Sequence, residues 1–108
     1  MIEQGLDVTE TTADGATVIV VVGEVDVATK SALQDPLEAR LDQGEANLTV
    51  DLRGVTFIDS TGLGVLVASL KRCRDAGGDL RLVVDTPRIL QLLEITGLRK
   101  TFSIVDSA

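Results

Sequence analysis

The residues best equipped for chemistry fall in two short blocks, Gly23-Glu24-Val25-Asp26 and Asp59-Ser60-Thr61-Gly62. The second stands where an apolar run, Val55-Thr56-Phe57-Ile58, stops and then restarts at Leu63, Leu66, Val67, Leu70 and Cys73 with helical spacing. A hydroxyl between a strand and a helix can cap the helix or react. The helix start offers unpaired N–H groups and the positive end of the dipole, and so attracts negative charge. A nucleophilic serine needs a base, and none of the 108 residues is histidine. That removes Ser-His triads, imidazole metal ligands and phosphohistidine relays. Serine–lysine chemistry is formally open, yet Lys30, Lys71 and Lys100 have no spacing that argues for a desolvated amine. Carboxylate acid–base work between Asp26 and Asp59 lacks any pocket signal.

Two motif matches fail on inspection. Gly62-Leu63-Gly64 superficially resembles a dinucleotide fingerprint, but Val67 holds the third glycine position and the first glycine lies inside the helix turn. Close packing of the helix start against the sheet explains these glycines better. Asp59-Ser60-Thr61-Gly62 also has the makings of an aspartic-protease triplet, with its glycine one residue late and a pattern that is not all-β. By residue chemistry alone, Asp59, Ser60 and Thr61 read as helix caps, and Glu24 and Asp26 as strand-end turn residues.

The elements that must position these residues follow from periodicity and turn chemistry. Leu6 and Val8 mark a weak first strand, Ala13-Asp14-Gly15 a turn, and residues 17–22 a β-branched run ending at Gly23, which together predict an opening hairpin. The continuous apolar run puts the second strand in mid-sheet. Ala32, Leu33, Leu37 and Leu41 form a helical stripe closed by Gly44. Pro36 interrupts it, so the helix is expected either from about Thr29 with a bend, or only from Asp35-Pro36-Leu37-Glu38 read as cap, N1 proline and N3 glutamate. Residues 48–52 predict a third strand, broken at Arg53-Gly54 before residues 55–58. The next helix runs to Ala76 and closes at Gly77-Gly78. Residues 80–84 predict a fourth strand. Asp85-Thr86-Pro87 then caps a short helix marked by Ile89, Leu90, Leu92 and Leu93, ended by Gly97, and Phe102, Ile104 and Val105 suggest a final strand or packed tail. The order β-β-α-β-α-β-α is that of an α/β domain, a mixed sheet with a parallel centre opened by an antiparallel hairpin and three to four helices. If the second, third and fourth strands are parallel, Asp26, Ser60 and Thr86 share one sheet edge, where open α/β sheets usually bind ligands and partners.

Composition narrows the partners. A chain of this length is expected to fold as one domain, residues 1–108, burying roughly 65% of its unfolded surface. Two Phe and no Trp or Tyr leave a core of Val, Leu and Ile and no stacking platform for single-stranded nucleic acid. A net charge of −7 repels phosphate backbones and anionic membranes, so no direct nucleic-acid or membrane binding is expected, and a basic or neutral protein is the better partner. Cys73, the single cysteine, falls on the apolar helix face as a small hydrophobe. The start of the chain has no basic segment leading an apolar one, and the apolar run over residues 16–22 is too short to span a bilayer, which makes a cytoplasmic location the expectation.

Three blocks together resemble the STAS domain of bacterial anti-sigma factor antagonists. Gly23-Glu24-Val25-Asp26 is similar to the family's Gly-Glu-x-Asp after the second strand. Phe57-Ile58-Asp59-Ser60-Thr61-Gly62-Leu63-Gly64 is similar to its central Asp-Ser-Ser/Thr-Gly-Leu-Gly block, and Glu94-Ile95-Thr96-Gly97-Leu98 to its near-terminal Ile-Thr-Gly-Leu. The resemblance covers nearly the whole chain and implies a STAS fold without cofactor or catalytic activity. It implies that Ser60 is phosphorylated by the partner, an anti-sigma factor of the GHKL serine kinase type, with Thr61 as the backup acceptor. The unphosphorylated form would bind that anti-sigma factor and free its sigma factor, and a serine phosphatase would restore the hydroxyl. The partner surface so implied comprises Glu24, Asp26, Asp59, Ser60, Thr61, Gly62 and Leu63, on a chain that is a monomer by default. Pro36 inside the first helix departs from the family pattern. A STAS scaffold serving a transporter or sensory complex without phosphorylation is the alternative, and an enzyme the third reading.

Overall fold

The computed structural model describes residues 5–106. Eight elements follow one another: β1 (Leu6–Ala13), β2 (Ala16–Val25), α1 (Lys30–Asp42), β3 (Asn47–Ile58), α2 (Ser60–Asp75), β4 (Asp79–Val83), α3 (Pro87–Ile95) and β5 (Ser103–Val105). β1 and β2 pair antiparallel from Leu6 with Gly23 to Ala13 with Ala16, leaving Asp14 and Gly15 as a two-residue turn with φ of 53° and 79°. Left-handed backbone at both positions is what a tight hairpin needs to match strand twist. β2 to β5 are parallel, and the sheet order is β1-β2-β3-β4-β5.

That order never reverses, so right-handed crossovers carry every helix to the same side. The buried side chains agree. Leu33, Leu37 and Leu41 of α1, Leu63, Leu66 and Leu70 of α2, and Ile89 and Leu93 of α3 share one core cluster with Ile19, Val50 and Leu82, whereas Val18 and Val83, one residue out of phase, stand outside it. The helices end alike. In each, the residue after a left-handed glycine (Gly44, Gly77, Gly97) donates its N–H five residues back, Glu45 to Arg40, Gly78 to Cys73 and Leu98 to Leu93, which pairs carbonyls the helix would otherwise leave open.

The expected hairpin, parallel centre, fourth strand and glycine stops are all present, with three helices among the described residues. Two boundaries and one cap differ from expectation. β2 continues past Gly23 to Val25. Of the two readings left open at Pro36, the helix from about Thr29 is the one present: α1 runs from Lys30 with Pro36 inside it. Its packing through Leu33, Leu37 and Leu41 on both sides of the proline outweighs the lost hydrogen bond. β3 is not broken at Arg53-Gly54. It carries register shifts against β2 there and again before Phe57, so extra residues are absorbed as bulges while pairing resumes. Arg53 folds back to the buried Asp51, its guanidinium donating three hydrogen bonds to the two carboxylate oxygens (2.8–3.3 Å) and its backbone N–H a fourth (3.0 Å). These hydrogen bonds hold the Asp51 carboxyl below the usual carboxylate range. Finally, Pro87 opens α3 as expected, but Thr86 before it makes no side-chain cap bond.

Candidate functional site at the C-terminal sheet edge

β2 and β3 finish side by side. Val25 pairs with Ile58, and the Asp59 N–H donates to the Val25 carbonyl at 3.2 Å, so the segments beginning at Asp26 and Asp59 leave the sheet as neighbours. Asp59 is the N-cap of α2, with extended backbone (φ −107°, ψ −173°) and its Oδ1 accepting the Gly62 N–H at 3.1 Å. The cap is therefore made by the carboxylate alone. Ser60, the first helical residue, is exposed and Thr61 half-buried. The hydroxyl expected either to cap or to react is left pointing to solvent by a neighbour that has taken over the capping.

Gly62 and Leu63 are buried and present no surface of their own. A β-carbon on Gly62 would stand 2.6 Å from Val25 Cγ1 and 2.7 Å from Ile58 Cγ1. The glycine thus lets the helix start close down on the ends of β2 and β3, as the packing reading of Gly62-Leu63-Gly64 expects, and Leu63 anchors that turn in the core. Gly64, by contrast, has open space around it.

Asp26 is committed to its own turn. Its Oδ1 accepts from the N–H of Ala28 (2.9 Å) and of Thr29 (3.1 Å), while the Thr29 hydroxyl accepts from the Asp26 N–H (3.0 Å) and donates to the Glu24 carbonyl (2.8 Å). Thr29 is buried, and sequence reasoning missed it; the reciprocal Asp-x-x-Thr spacing was the signal. Glu24 is exposed beside Phe57, its pairing partner on β3. Thr86 starts α3 on the same edge, after β4. The parallel strands thus bring Asp26, Ser60 and Thr86 to one edge, as expected. Val27, in the turn after Asp26, is 77% exposed and was not anticipated as a surface residue; its place outside the α1 stripe was the available sign.

Ser60 is thus an exposed hydroxyl residue at a helix start, and the carboxylates of Asp26 and Asp59 at the same edge each accept from backbone N–H groups. Among the described residues no group of three or more metal-ligating side chains occurs, and no helix is long and apolar enough to cross a membrane. Cys73 is fully buried; burial pushes its thiol pKa up, and the charge of Asp79 adds to this, which keeps it protonated and inert.

Comparison with known proteins agrees with this geometry. The family model of the STAS domain matches residues 7–108. The anti-sigma-B factor antagonist of Bacillus subtilis is 38% identical over 84 residues, 78% of this chain and 76% of the relative. That of Staphylococcus aureus is 36% identical over 94 residues, 87% of each chain. The crystal structure of an anti-sigma factor antagonist from Mycobacterium paratuberculosis superimposes with a TM-score of 0.86 at 28% identity, covering 98% of this chain and 90% of the other. With the sheet order, the central Asp-Ser-Thr-Gly-Leu-Gly turn and these likenesses in agreement, the chain belongs to the STAS domain family.

Proposed function

We propose that this chain is an anti-sigma factor antagonist. It acts as one STAS domain and a monomer, binds an anti-sigma factor through the C-terminal edge of its sheet, and thereby frees the sigma factor. The anti-sigma factor is of the GHKL serine kinase type. It phosphorylates Ser60, with Thr61 the poorer, half-buried acceptor, and phosphorylation abolishes binding until a serine phosphatase removes it. The observation that carries this reading is the exposed Ser60 hydroxyl at the first position of α2, released from capping by Asp59. The names of the Bacillus and Staphylococcus relatives support the same assignment.

A neutral hydroxyl at this point can be covered by a partner at little cost. A phosphate brings about −1.5 to −2 charge and a hydration shell that must be stripped to rebuild the contact. Asp59 and Asp26 add repulsion at the same edge, while the dipole of α2 favours the new charge only locally. No refolding is needed for release. The kinase supplies nucleotide, magnesium and catalytic base, and this chain supplies the acceptor, with Glu24 and Asp26 bordering the contact.

The test is isothermal titration of a GHKL-type anti-sigma factor from the same genome with the wild type, Ser60→Ala and Ser60→Glu, alongside intact-mass measurement after incubation with magnesium-ATP. Ser60→Ala is expected to bind like the unmodified chain and to gain no phosphate, and Ser60→Glu to bind at least about tenfold more weakly, a loss of ~1.4 kcal/mol. Equal affinity for all three variants would refute the electrostatic switch.

A further inference from the structure

β3 outruns β4. Its last pair with β4 is Asp51 with Val83, whereas it stays paired with β2 as far as Ile58. Over residues 54–58 the edge turned away from β2 therefore has no strand against it, and among the described residues these backbone groups make no bond outside the β2 ladder. α3 faces this stretch across a cleft of about 260 Å³, lined by Phe57 and Ile58 on the strand side and by Arg88, Leu92 and Ile95 on the helix side. Ile95 is 75% and Phe57 46% exposed, so two of the chain's large apolar side chains sit in water at the same opening. Arg88, like Arg81, has no ion-pair partner among the described residues, whereas Arg40, Arg53, Arg72, Arg74 and Arg99 are all paired.

A strand edge with unsatisfied N–H and C=O groups is a template for another extended chain. A helix running beside it, with an apolar gap between, is the arrangement that accepts a peptide by strand addition: main-chain bonds hold the peptide and alternate side chains fill the gap. At about 260 Å³ the cleft has room for a few side chains. Its one cation stands out on a chain of net charge −7, which would otherwise repel an acidic segment.

We propose that this cleft binds an extended segment of a partner protein, added to the sheet beyond the end of β4. Apolar side chains of the segment pack between Phe57 and Ile95, and an acidic side chain meets Arg88. The cleft is not lined by Ser60, although its strand wall ends at Ile58, two residues before it, and the proposal does not rest on phosphorylation of Ser60.

The test uses a random octapeptide display library selected on the full chain. Enriched peptides are then synthesised and titrated against the ¹⁵N-labelled protein. The expected peptides alternate apolar residues around one acid, shift the amide resonances of residues 54–58, and slow hydrogen exchange there. Ile95→Asp, at an exposed position that leaves the core intact, is expected to weaken binding at least about tenfold. Arg88→Glu is expected to weaken the acidic peptide but not its amide counterpart. Failure to enrich any sequence, binding that survives Ile95→Asp, a helical bound peptide, or equal loss of acidic and amide peptides on Arg88→Glu would each overturn the proposal.

Discussion

Gly62 and Gly64 lie two residues apart in the first turns of α2 and face opposite surroundings, so the same substitution at each separates packing from helix propensity. A β-carbon at Gly62 would meet Val25 Cγ1 at 2.6 Å, Ile58 Cγ1 at 2.7 Å and Ile58 Cδ1 at 3.1 Å. Carbon atoms prefer about 3.5–4.0 Å, so close to ~1 Å must be found in a packed site. Val25 and Ile58 are buried and β-branched, with little rotamer freedom to yield it, and the helix start must shift instead. Overpacking of this kind costs about 1–3 kcal/mol, against about 0.5–1 kcal/mol gained by replacing a helical glycine, which leaves Gly62→Ala destabilised by ~1–2 kcal/mol. Gly64→Ala meets nothing within 4 Å and keeps only the gain.

The two variants should therefore lie on opposite sides of the wild type, about 2–3 kcal/mol apart. With no Trp or Tyr to report by fluorescence, urea unfolding is followed by far-UV circular dichroism. An m-value of about 1–2 kcal/mol/M separates the midpoints by roughly 1–3 M. Shifts of equal sign for the two variants would refute the claim that Gly62 is required by its contact with the strand ends. Because the turn displaced in Gly62→Ala carries Ser60, the same variant is expected to bind the proposed partner less well, while Gly64→Ala leaves that affinity unchanged.

Three further outcomes are expected. Asp59→Ala removes the acceptor for the Gly62 N–H and should lower stability by about 1 kcal/mol, or roughly 4–8 °C in thermal midpoint, while Asp59→Asn retains most of it. The depressed pKa of Asp51 means that its bonds to Arg53 stabilise the fold above the ordinary aspartate value of about 3.9, and that this contribution is lost as pH falls through the lower folded value; Asp51→Asn should flatten the acid limb of stability measured by urea unfolding between about pH 2 and 6. Pro36→Ala returns a backbone N–H to the interior of α1 and should raise the free energy of unfolding measured in urea by about 2 kcal/mol once the greater freedom of the unfolded chain is subtracted.

What was readable in the sequence was local and punctuated. Gly44, Gly77 and Gly97 mark helix ends because a left-handed residue there closes the last carbonyls, a requirement few other residues meet. The turn at residues 59–62 was readable for the same reason, since a carboxylate, two hydroxyls and a glycine after a β-branched run fit little besides a capped helix start. Arg53-Gly54 misled because its signal is ambiguous: a glycine in a strand marks either an end or a bulge, and only pairing with β2 decides. Pro36 left two readings open because the choice between them rests on the leucines on either side of it, which are buried together, a tertiary term absent from any local window. Which of Asp59 and Ser60 caps α2, and that Asp26 is spent on its own turn with Thr29, depend on side-chain directions that spacing does not give. The β3–α3 cleft was illegible altogether, since it arises from a difference in length between two strands that are distant in the chain.

The strand order also bears on what kind of partner the edge suits. In doubly wound sheets a crevice opens where neighbouring crossovers leave to opposite faces, and small ligands bind in it. Here β1-β2-β3-β4-β5 runs without reversal, so all crossovers leave to one face and no such crevice forms beside Ser60. What remains is a continuous rim on which Val27 offers apolar surface and Ser60 a hydroxyl. On the proposed reading such a rim gains its affinity through area, as a surface that meets another protein does. The same geometry makes it sensitive to charge: a small group in a crevice can be matched by local donors, whereas a phosphate on an open rim must be desolvated by whatever covers it, next to the carboxylate of Asp59. On the proposed reading, a single added group at Ser60 therefore acts on the whole interface without moving the fold beneath it.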